Sequence, residues 1–187
     1  VGGPIVASFL LGFTEYDVLS PARWIGLKNY TQALTADRLF WPALSKTFYY
    51  AVGVVPVGLV GSLLLAILLN QKLKVTNLFR TMFYLPHLTP AVALAILWLW
   101  LMNPEIGPLN YILGSVGIGK FPWLTDEHTV IPSLILINLW ASMGGNNMLI
   151  FLAGLQGVPV ELFEAADLDG ASAWQKFVHV TLPMISP

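Results

Sequence analysis

Long uncharged apolar runs alternate with polar segments along this chain, and the alternation predicts its elements. The run 47–69 has no charged side chain and is long enough to cross a bilayer as a helix, which takes about 20 residues. Runs at 81–102 and 130–153 have the same character, and a shorter run covers 1–13. We therefore predict an all-α, polytopic membrane protein, a helical bundle with three complete spans. We interpret 1–13 as the outer end of a partial span, and the chain as a fragment.

The charges of the polar segments predict their sides of the membrane. The segment 70–80 contains three basic residues and no acidic one, which is typical of a short cytoplasmic loop. Alternation of the spans then places the segments 14–46 and 103–129 outside and the segment 158–183 in the cytoplasm. Within the first outer loop we expect one short amphipathic helix near 27–34.

Two features of the apolar runs predict helix packing rather than simple exposure to lipid. Gly53, Gly58 and Gly61 lie in one run, and small residues at this density allow membrane helices to approach closely. Pro86 and Pro90 lie four residues apart in the next run. We expect a broken helix there, with its irregular backbone covered by protein or lining a cavity, because lipid cannot satisfy free backbone groups.

Composition supports the membrane assignment and argues against several functions. Hydrophobic residues make up 56% of the chain and charged residues 10%, whereas soluble domains carry about 25% charged residues. The net charge of −1 and the absence of cysteine favour neither nucleic-acid binding nor thiolate chemistry. The three histidines lie far apart in the sequence, so we predict no metal site.

No catalytic constellation is visible in the sequence. The chain lacks the Gly-x-x-x-x-Gly-Lys-Ser/Thr loop that cradles nucleotide phosphates, so we predict that it does not hydrolyse ATP itself and has no catalytic residue. No pair of carboxylates lies inside a predicted span, which argues against a proton-driven carrier.

Polar residues inside the last apolar run form a candidate solute path. Asn138, Ser142 and Asn146 follow one another at four-residue spacing, so on one continuous helix they would line one stripe. Amide and hydroxyl groups can donate and accept hydrogen bonds, as a neutral, hydroxyl-rich solute requires. Hydrogen bonding between helices explains the same residues equally well.

The segment 158–183 has the pattern of a helix, a turn and a second helix at the membrane surface. Pro159 suits a first helical position, and Glu164 lies near the positive end of that helix. We expect Gly170 to end the first helix with a positive φ. A second amphipathic helix would then run from about 171 to 179, with Leu182-Pro183 stopping it and starting the next span.

Three other residues have a functional and a simpler interpretation. His87, between two prolines, could be a gate or a pH sensor, but we favour a packing role. Trp98 and Trp100 could stack on a sugar, but we favour a position at the membrane interface, where tryptophan is enriched.

The segment 158–183, hereafter the coupling segment, resembles a known motif. Glu164-Ala165-Ala166, Gly170 and Leu182-Pro183 are similar to the EAA loop of the membrane subunits of binding-protein-dependent ABC importers, with Val180 where the family usually has isoleucine. In that family the cytoplasmic ATPase grips this loop. The resemblance implies ATPase coupling by the matching residues, which are Glu164, Ala165, Ala166, Asp169, Gly170, Leu182 and Pro183.

Other stretches resemble the carbohydrate branch of that family, the permeases of the maltose and glycerol-phosphate type. They include 24–30, 79–86 and 98–104. In sugar-importing relatives the span before the EAA loop supplies solute contacts, and Asn138 falls at such a position. Ser142 stands one turn later, and Asn146 is included because of the stripe alone.

The resemblance implies a type I importer permease in the cell membrane of a prokaryote. Its expected partners are two cytoplasmic ATPases, a second and non-identical permease, an extracytoplasmic solute-binding protein and the lipid bilayer, with no nucleic acid. ATP and Mg²⁺ would bind the ATPases, and no cofactor is expected in this chain. Alternatives are an importer for glycerol phosphodiesters, amino acids or peptides, a secondary transporter, or a membrane scaffold that transports nothing.

Overall fold

The computed structural model describes residues 2–17, 19–71 and 75–186, and helices dominate these residues. Two strands of two residues each, β1 (Thr14–Glu15) and β2 (Arg23–Trp24), pair antiparallel. The helices in chain order are α1 (Gly2–Leu11), α2 (Lys28–Thr35), α3 (Phe40–Asn70), α4 (Thr76–Leu88), α5 (Ala91–Leu101), α6 (Pro108–Ser115), α7 (Val130–Ser142), α8 (Asn146–Gln156), α9 (Val160–Leu168), α10 (Ala173–Lys176), a π-helical turn (Phe177–Thr181) and α11 (Leu182–Ile185). The all-α fold predicted from the sequence is confirmed.

The chain divides into two compact units, residues 1–49 and 50–187. In the first unit, aromatic rings pack around the end of α1. The ring of Phe13 stacks on Trp24 with centroids 5.5 Å apart and contacts the ring of Tyr30 at 5.2 Å. The amide of Asn29 donates hydrogen bonds to the carbonyl oxygens of Gly12 and Thr14. These contacts explain why the stretch 24–30 is rich in aromatic and turn-forming residues.

In the second unit, the small residues of α3 receive side chains from the segment around α7, as the sequence predicts. A side chain at Gly53 would meet Ile135, and one at Gly61 would meet the sulfur of Met143 at 2.7 Å. Gly58 faces Leu139 at ordinary contact distance. Further along α3 a buried apolar cluster joins this helix to α8; its members are Ala66, Leu69, Met148, Leu152 and Leu155.

Two of the three predicted spans are broken. Helices α4 and α5 meet at an angle of 95°, and α7 and α8 at 44°. Among the described residues, α3 is long and apolar enough to cross a membrane unaided, and the number of candidate spans rises to three if each bent pair counts as one. The prolines account for the first break, because Pro90 lacks an N–H and favours extended backbone in the residue before it. Thr89 has that extended conformation, with ψ at 132°.

Several element boundaries differ from those predicted. Helix α3 begins at Phe40, before the predicted span start at 47, because Asp37 accepts a hydrogen bond from the backbone N–H of Leu39 and turns the chain into the helix early. Helix α4 begins at Thr76, inside the predicted inner loop 70–80, whose residues 72–74 lie outside the described part of the chain.

The predicted second outer loop, 103–129, contains helix α6. Asn110 organises this segment: its amide donates to the carbonyl oxygens of Pro104 and Phe121, and its side-chain oxygen accepts from the backbone N–H of Phe121 and from the indole of Trp123. Asn110 is buried, with 8% of the residue's surface exposed. A buried amide with all of these partners specifies a single arrangement.

The close approach of Gly144 to α4 predicts that a substitution at this glycine destabilises the fold. A side chain at Gly144 would overlap the carbonyl oxygen of Phe83 in α4 and lie 2.7 Å from its carbonyl carbon. We expect Gly144→Ala to lower the free energy of unfolding by about 1–3 kcal/mol, the usual cost of overpacking, because backbone cannot rotate away. Thermal unfolding of the solubilised protein measures this. Gly114→Ala is the control, since a side chain there meets nothing within 4 Å, and an equal loss in both variants would contradict the explanation.

Candidate coupling segment and solute path

Helix α9 ends in a hydrogen-bonded turn centred on Gly170. Asp169 is the last residue with helical geometry, and Gly170 follows with φ at +74°. The N–H of Gly170 donates to the carbonyl of Asp167, and that of Ala171 donates to the carbonyl of Ala166. This pair of bonds is a Schellman motif, which requires a left-handed residue at the position that Gly170 occupies. The predicted positive φ is confirmed. Pro159 lies at the N-cap position, one residue before the first helical position predicted for it, and α9 begins at Val160.

The residues of the EAA motif lie on an accessible helix. Glu164, Ala165, Asp169 and Gly170 are exposed, and Ala166 is half-buried. Leu168, an apolar side chain beside them, is 91% exposed.

The second helix of the segment is longer than predicted. Ser172 opens α10 with a capping box: its hydroxyl accepts from the backbone N–H of Gln175, and the Gln175 side chain accepts from the backbone N–H of Ser172. The Ser-x-x-Gln spacing could have revealed this cap in the sequence.

The prediction that Leu182-Pro183 stops this helix was wrong. The backbone stays helical from α10 through the π-helical turn into α11, and both residues are exposed within this run. Pro183 lacks an N–H and would crowd the carbonyl four residues earlier in an α-helix. The wider turn, in which the N–H of Leu182 donates to the carbonyl of Phe177, carries the helix up to the proline.

One ion pair joins the two helices of the coupling segment. The ammonium group of Lys176 lies 2.6 Å from a carboxylate oxygen of Asp167 in α9. The sequence analysis did not single out this pair. A spacing of nine residues across a turn carries no signal on its own, because only the angle of the Gly170 turn brings the two side chains together.

The candidate solute stripe is not a single helical stripe. Helix α7 ends at Ser142 and α8 begins at Asn146, so Asn146 lies beyond a break and the predicted alignment with Asn138 and Ser142 was wrong. The break follows from Gly144 and Gly145, which allow the close approach to α4. Asn138 and Ser142 are half-buried, and Asn146 is exposed.

The break brings Asn146 close to residues of α4. The hydroxyl of Tyr84 donates to the side-chain oxygen of Asn146 at 3.5 Å. The ring of His87 has its centroid 5.5 Å from that of Tyr84, and a side chain at Gly145 would lie 2.8 Å from the Nδ1 atom of His87. Tyr84 is not among the path residues predicted from the sequence, because no local pattern distinguishes it from other aromatic residues of the span.

The remaining candidate residues have different surroundings. The hydroxyl of Ser142 faces Gly58 of α3, at a contact between helices. Trp98 is buried and packs edge-to-face on Trp140, with ring centroids 5.4 Å apart, and Trp100 is half exposed. The position at the membrane interface stays a prediction for both. Helix packing therefore accounts for both Ser142 and Trp98.

Comparison with known proteins assigns the chain to a family. A family model described as "Binding-protein-dependent transport system inner membrane component" matches residues 58–187. The chain is 40% identical over 186 residues to the probable ABC transporter permease protein YesP of Bacillus subtilis (strain 168), covering 98% of this chain and 59% of that protein. It is 38% identical to the arabinooligosaccharides transport system permease protein AraP of the same organism, covering 98% of this chain and 58% of that protein.

Similar relatives include an archaeal protein and a solved structure. The xylose/arabinose import permease protein XacH of Haloferax volcanii is 34% identical, with 95% of this chain and 56% of that protein covered. A crystal structure of a bacterial ABC transporter involved in the import of the acidic polysaccharide alginate matches with a TM-score of 0.81 at 26% identity, covering 99% of this chain and 62% of that chain. This chain thus spans about three fifths of the length of these relatives.

These matches agree with the resemblance seen in the sequence, including its carbohydrate branch, and with a position in a cell membrane. The family model covers α7, α8 and the whole coupling segment. The chain belongs to the inner membrane components of binding-protein-dependent transport systems.

Proposed function

We propose that this chain is part of a permease that imports a sugar or oligosaccharide, driven by ATP hydrolysis in partner subunits. The observation that carries the proposal is the geometry of the coupling segment. An exposed helix with the Glu-Ala-Ala sequence ends in a glycine with φ at +74°, and a second helix follows directly after this turn. Such a helix presents small and acidic groups to a cytoplasmic ATPase, and the chain itself hydrolyses nothing.

The substrate class is supported by the relatives. Their names refer to arabinooligosaccharides and to xylose and arabinose, all of them neutral and rich in hydroxyl groups. Asn138 in α7 suits such a solute, since its half-buried amide can both donate and accept hydrogen bonds. Asn146 and Tyr84, joined at the break between α7 and α8, offer further donors and acceptors.

An ATP-driven importer of this kind requires partner proteins. We propose two ABC ATPases at the coupling segment, a second permease of different sequence, and an extracytoplasmic solute-binding protein on the outer side. A related alginate transporter has been solved in complex with a periplasmic protein bound to an alginate pentasaccharide, which supports a partner of that kind. Closure of the ATPases would move α9, and rigid-body motion of the spans would open the path alternately to either side.

The first prediction tests topology. With segment 70–80 in the cytoplasm and 103–129 outside, a cysteine introduced by Asn77→Cys should react with an impermeant thiol reagent only from the cytoplasmic side. Tyr111→Cys, at a position that is 83% exposed, should react from outside. The chain has no cysteine of its own to interfere. Labelling of both positions from the same side would show that α4 and α5 turn back instead of crossing, and would contradict the proposal.

The second prediction tests the path. Asn138→Ala should weaken solute transport while assembly with the ATPase persists, because solute hydroxyls left without a partner cost about 1–3 kcal/mol, or roughly five- to 150-fold in apparent affinity. Uptake of labelled sugar into reconstituted vesicles measures this. Ser142→Ala should have a smaller effect, since its hydroxyl faces α3. Asn147→Ala, at an exposed amide next to the proposed path, is the control, and normal uptake by the Asn138 variant would restrict that residue to a structural role.

The third prediction tests coupling. Gly170→Val should reduce the stimulation of ATP hydrolysis by loaded binding protein, because any side chain at this φ costs about 1 kcal/mol or more and redirects the second helix. Steric overlap would not cause this effect, since a side chain at position 170 meets nothing within 4 Å. Gly117→Val is the matched control: its φ is +80°, and its surroundings are equally open. Full stimulation in the Gly170 variant would falsify the coupling role.

A further inference from the structure

The joint between α9 and the following helix is loosely packed. A cavity of about 340 Å³ lies on one side of it, with walls that include Phe163 of α9, Phe177 and Thr181. A second cavity of about 300 Å³ lies around the turn, bounded by Ala166, Gly170 and residues of the following helix. Both pockets are open to the surface, and α9 is exposed except for the partly buried Phe163 and Ala166. Apolar packing alone therefore does not set the angle at this joint.

Lys176 lines both cavities. Its side chain is 25% exposed, whereas that of its partner Asp167 is 60% exposed. The aliphatic stem therefore lies between the two cavities while the ammonium group reaches across to α9 at 2.6 Å. Among the residues that the structure describes, this is the side-chain hydrogen bond that links α9 with the helix after the turn.

The helix that carries Lys176 is attached firmly to the rest of the unit. It runs without interruption through the π-helical turn into α11. There Ile185 packs against Gly154 of α8, where a side chain on the glycine would be 3.4 Å from the isoleucine. Movement of α9 can therefore be transmitted to the helix 173–185 and from there to α8, if the angle between α9 and the helix 173–185 stays fixed.

We infer that the ion pair between Asp167 and Lys176 fixes the angle between α9 and the helix 173–185, so that movement of α9 is transmitted to the spans. This inference rests on the proposed coupling function. The pair makes a modest contribution to folding, as exposed ion pairs do. Its importance lies in its position across a joint that two open pockets border. Asp167 and Lys176 are therefore positioning residues, which act through the motion of the two helices.

The experiment uses the complete permease assembled with its partner subunits. Lys176→Met removes the ammonium group and keeps most of the stem that separates the cavities. We expect the stimulation of ATP hydrolysis by loaded binding protein to fall about two- to fivefold, the range that an exposed ion pair can supply, while the ATPase still co-purifies. Asp167→Asn should behave alike. The exchanged pair, Asp167→Lys with Lys176→Asp, should recover most of the stimulation, which a purely local packing role would not produce.

A spectroscopic measurement reports on the joint directly. Spin labels on cysteines introduced by Leu168→Cys and Met184→Cys, both at exposed positions, give the distribution of distances between α9 and α11 in an otherwise cysteine-free complex. We expect Lys176→Met to broaden this distribution and the exchanged pair to narrow it again. Lys120→Met, which breaks the exposed ion pair with Glu105 in another segment, is the matched control and should change neither measurement.

The outcomes distinguish a failure of the role inferred for the ion pair from a failure of the proposed coupling function. An unchanged distance distribution in the Lys176 variant would overturn the inference, and so would a broadened distribution with full stimulation. If Gly170→Val abolishes stimulation and Lys176→Met does not, the ion pair loses its role and the coupling function stands. If both variants keep full stimulation, the coupling function itself fails.

Discussion

The close contact between Gly144 and the backbone of Phe83 is the constraint on which much of the second unit depends. Only a residue without a side chain allows the chain to lie directly against a carbonyl group of α4. The approach interrupts the helix between Ser142 and Asn146. It also brings the break close to the end of α4, just before the 95° bend at Pro90. The irregular backbone of one broken span is thus covered by another helix, as a bilayer requires.

Helix α8 connects the two functional regions proposed for this chain. Its first residue, Asn146, accepts a hydrogen bond from Tyr84 at the proposed path, and near its other end Gly154 contacts Ile185 of α11. Between them Met148 and Leu152 are buried against α3. A helix of eleven residues is about 16 Å long, and its buried side makes it a rigid link. Movement at the coupling segment therefore has a short, packed route to the polar break.

The coupling segment is held in a different way from the helices around it. Its shape depends on local hydrogen bonds, namely the turn at Gly170, the capping box of Ser172 and Gln175, and the ion pair of Asp167. Little of its surface is buried within the chain. A segment organised in this way keeps its form while leaving its outer face for a partner, whereas a segment held by burial would have used that face for its own folding.

The sequence by itself determined the membrane class, the family and the form of the coupling turn, because each depends on local properties. Uncharged runs need no tertiary contact to be recognised, and a glycine after an acidic helix predicts positive φ from the turn alone. Only the tertiary structure decided that Asn146 leaves the stripe of Asn138, that Trp98 is buried, and that the helix continues past Pro183. It also decided that Lys176 meets Asp167. These outcomes depend on the contacts that helices make with one another, such as that of Gly144 with α4, and on the angle of the turn at Gly170. The spacing of residues along the chain specifies neither the contacts nor the angle.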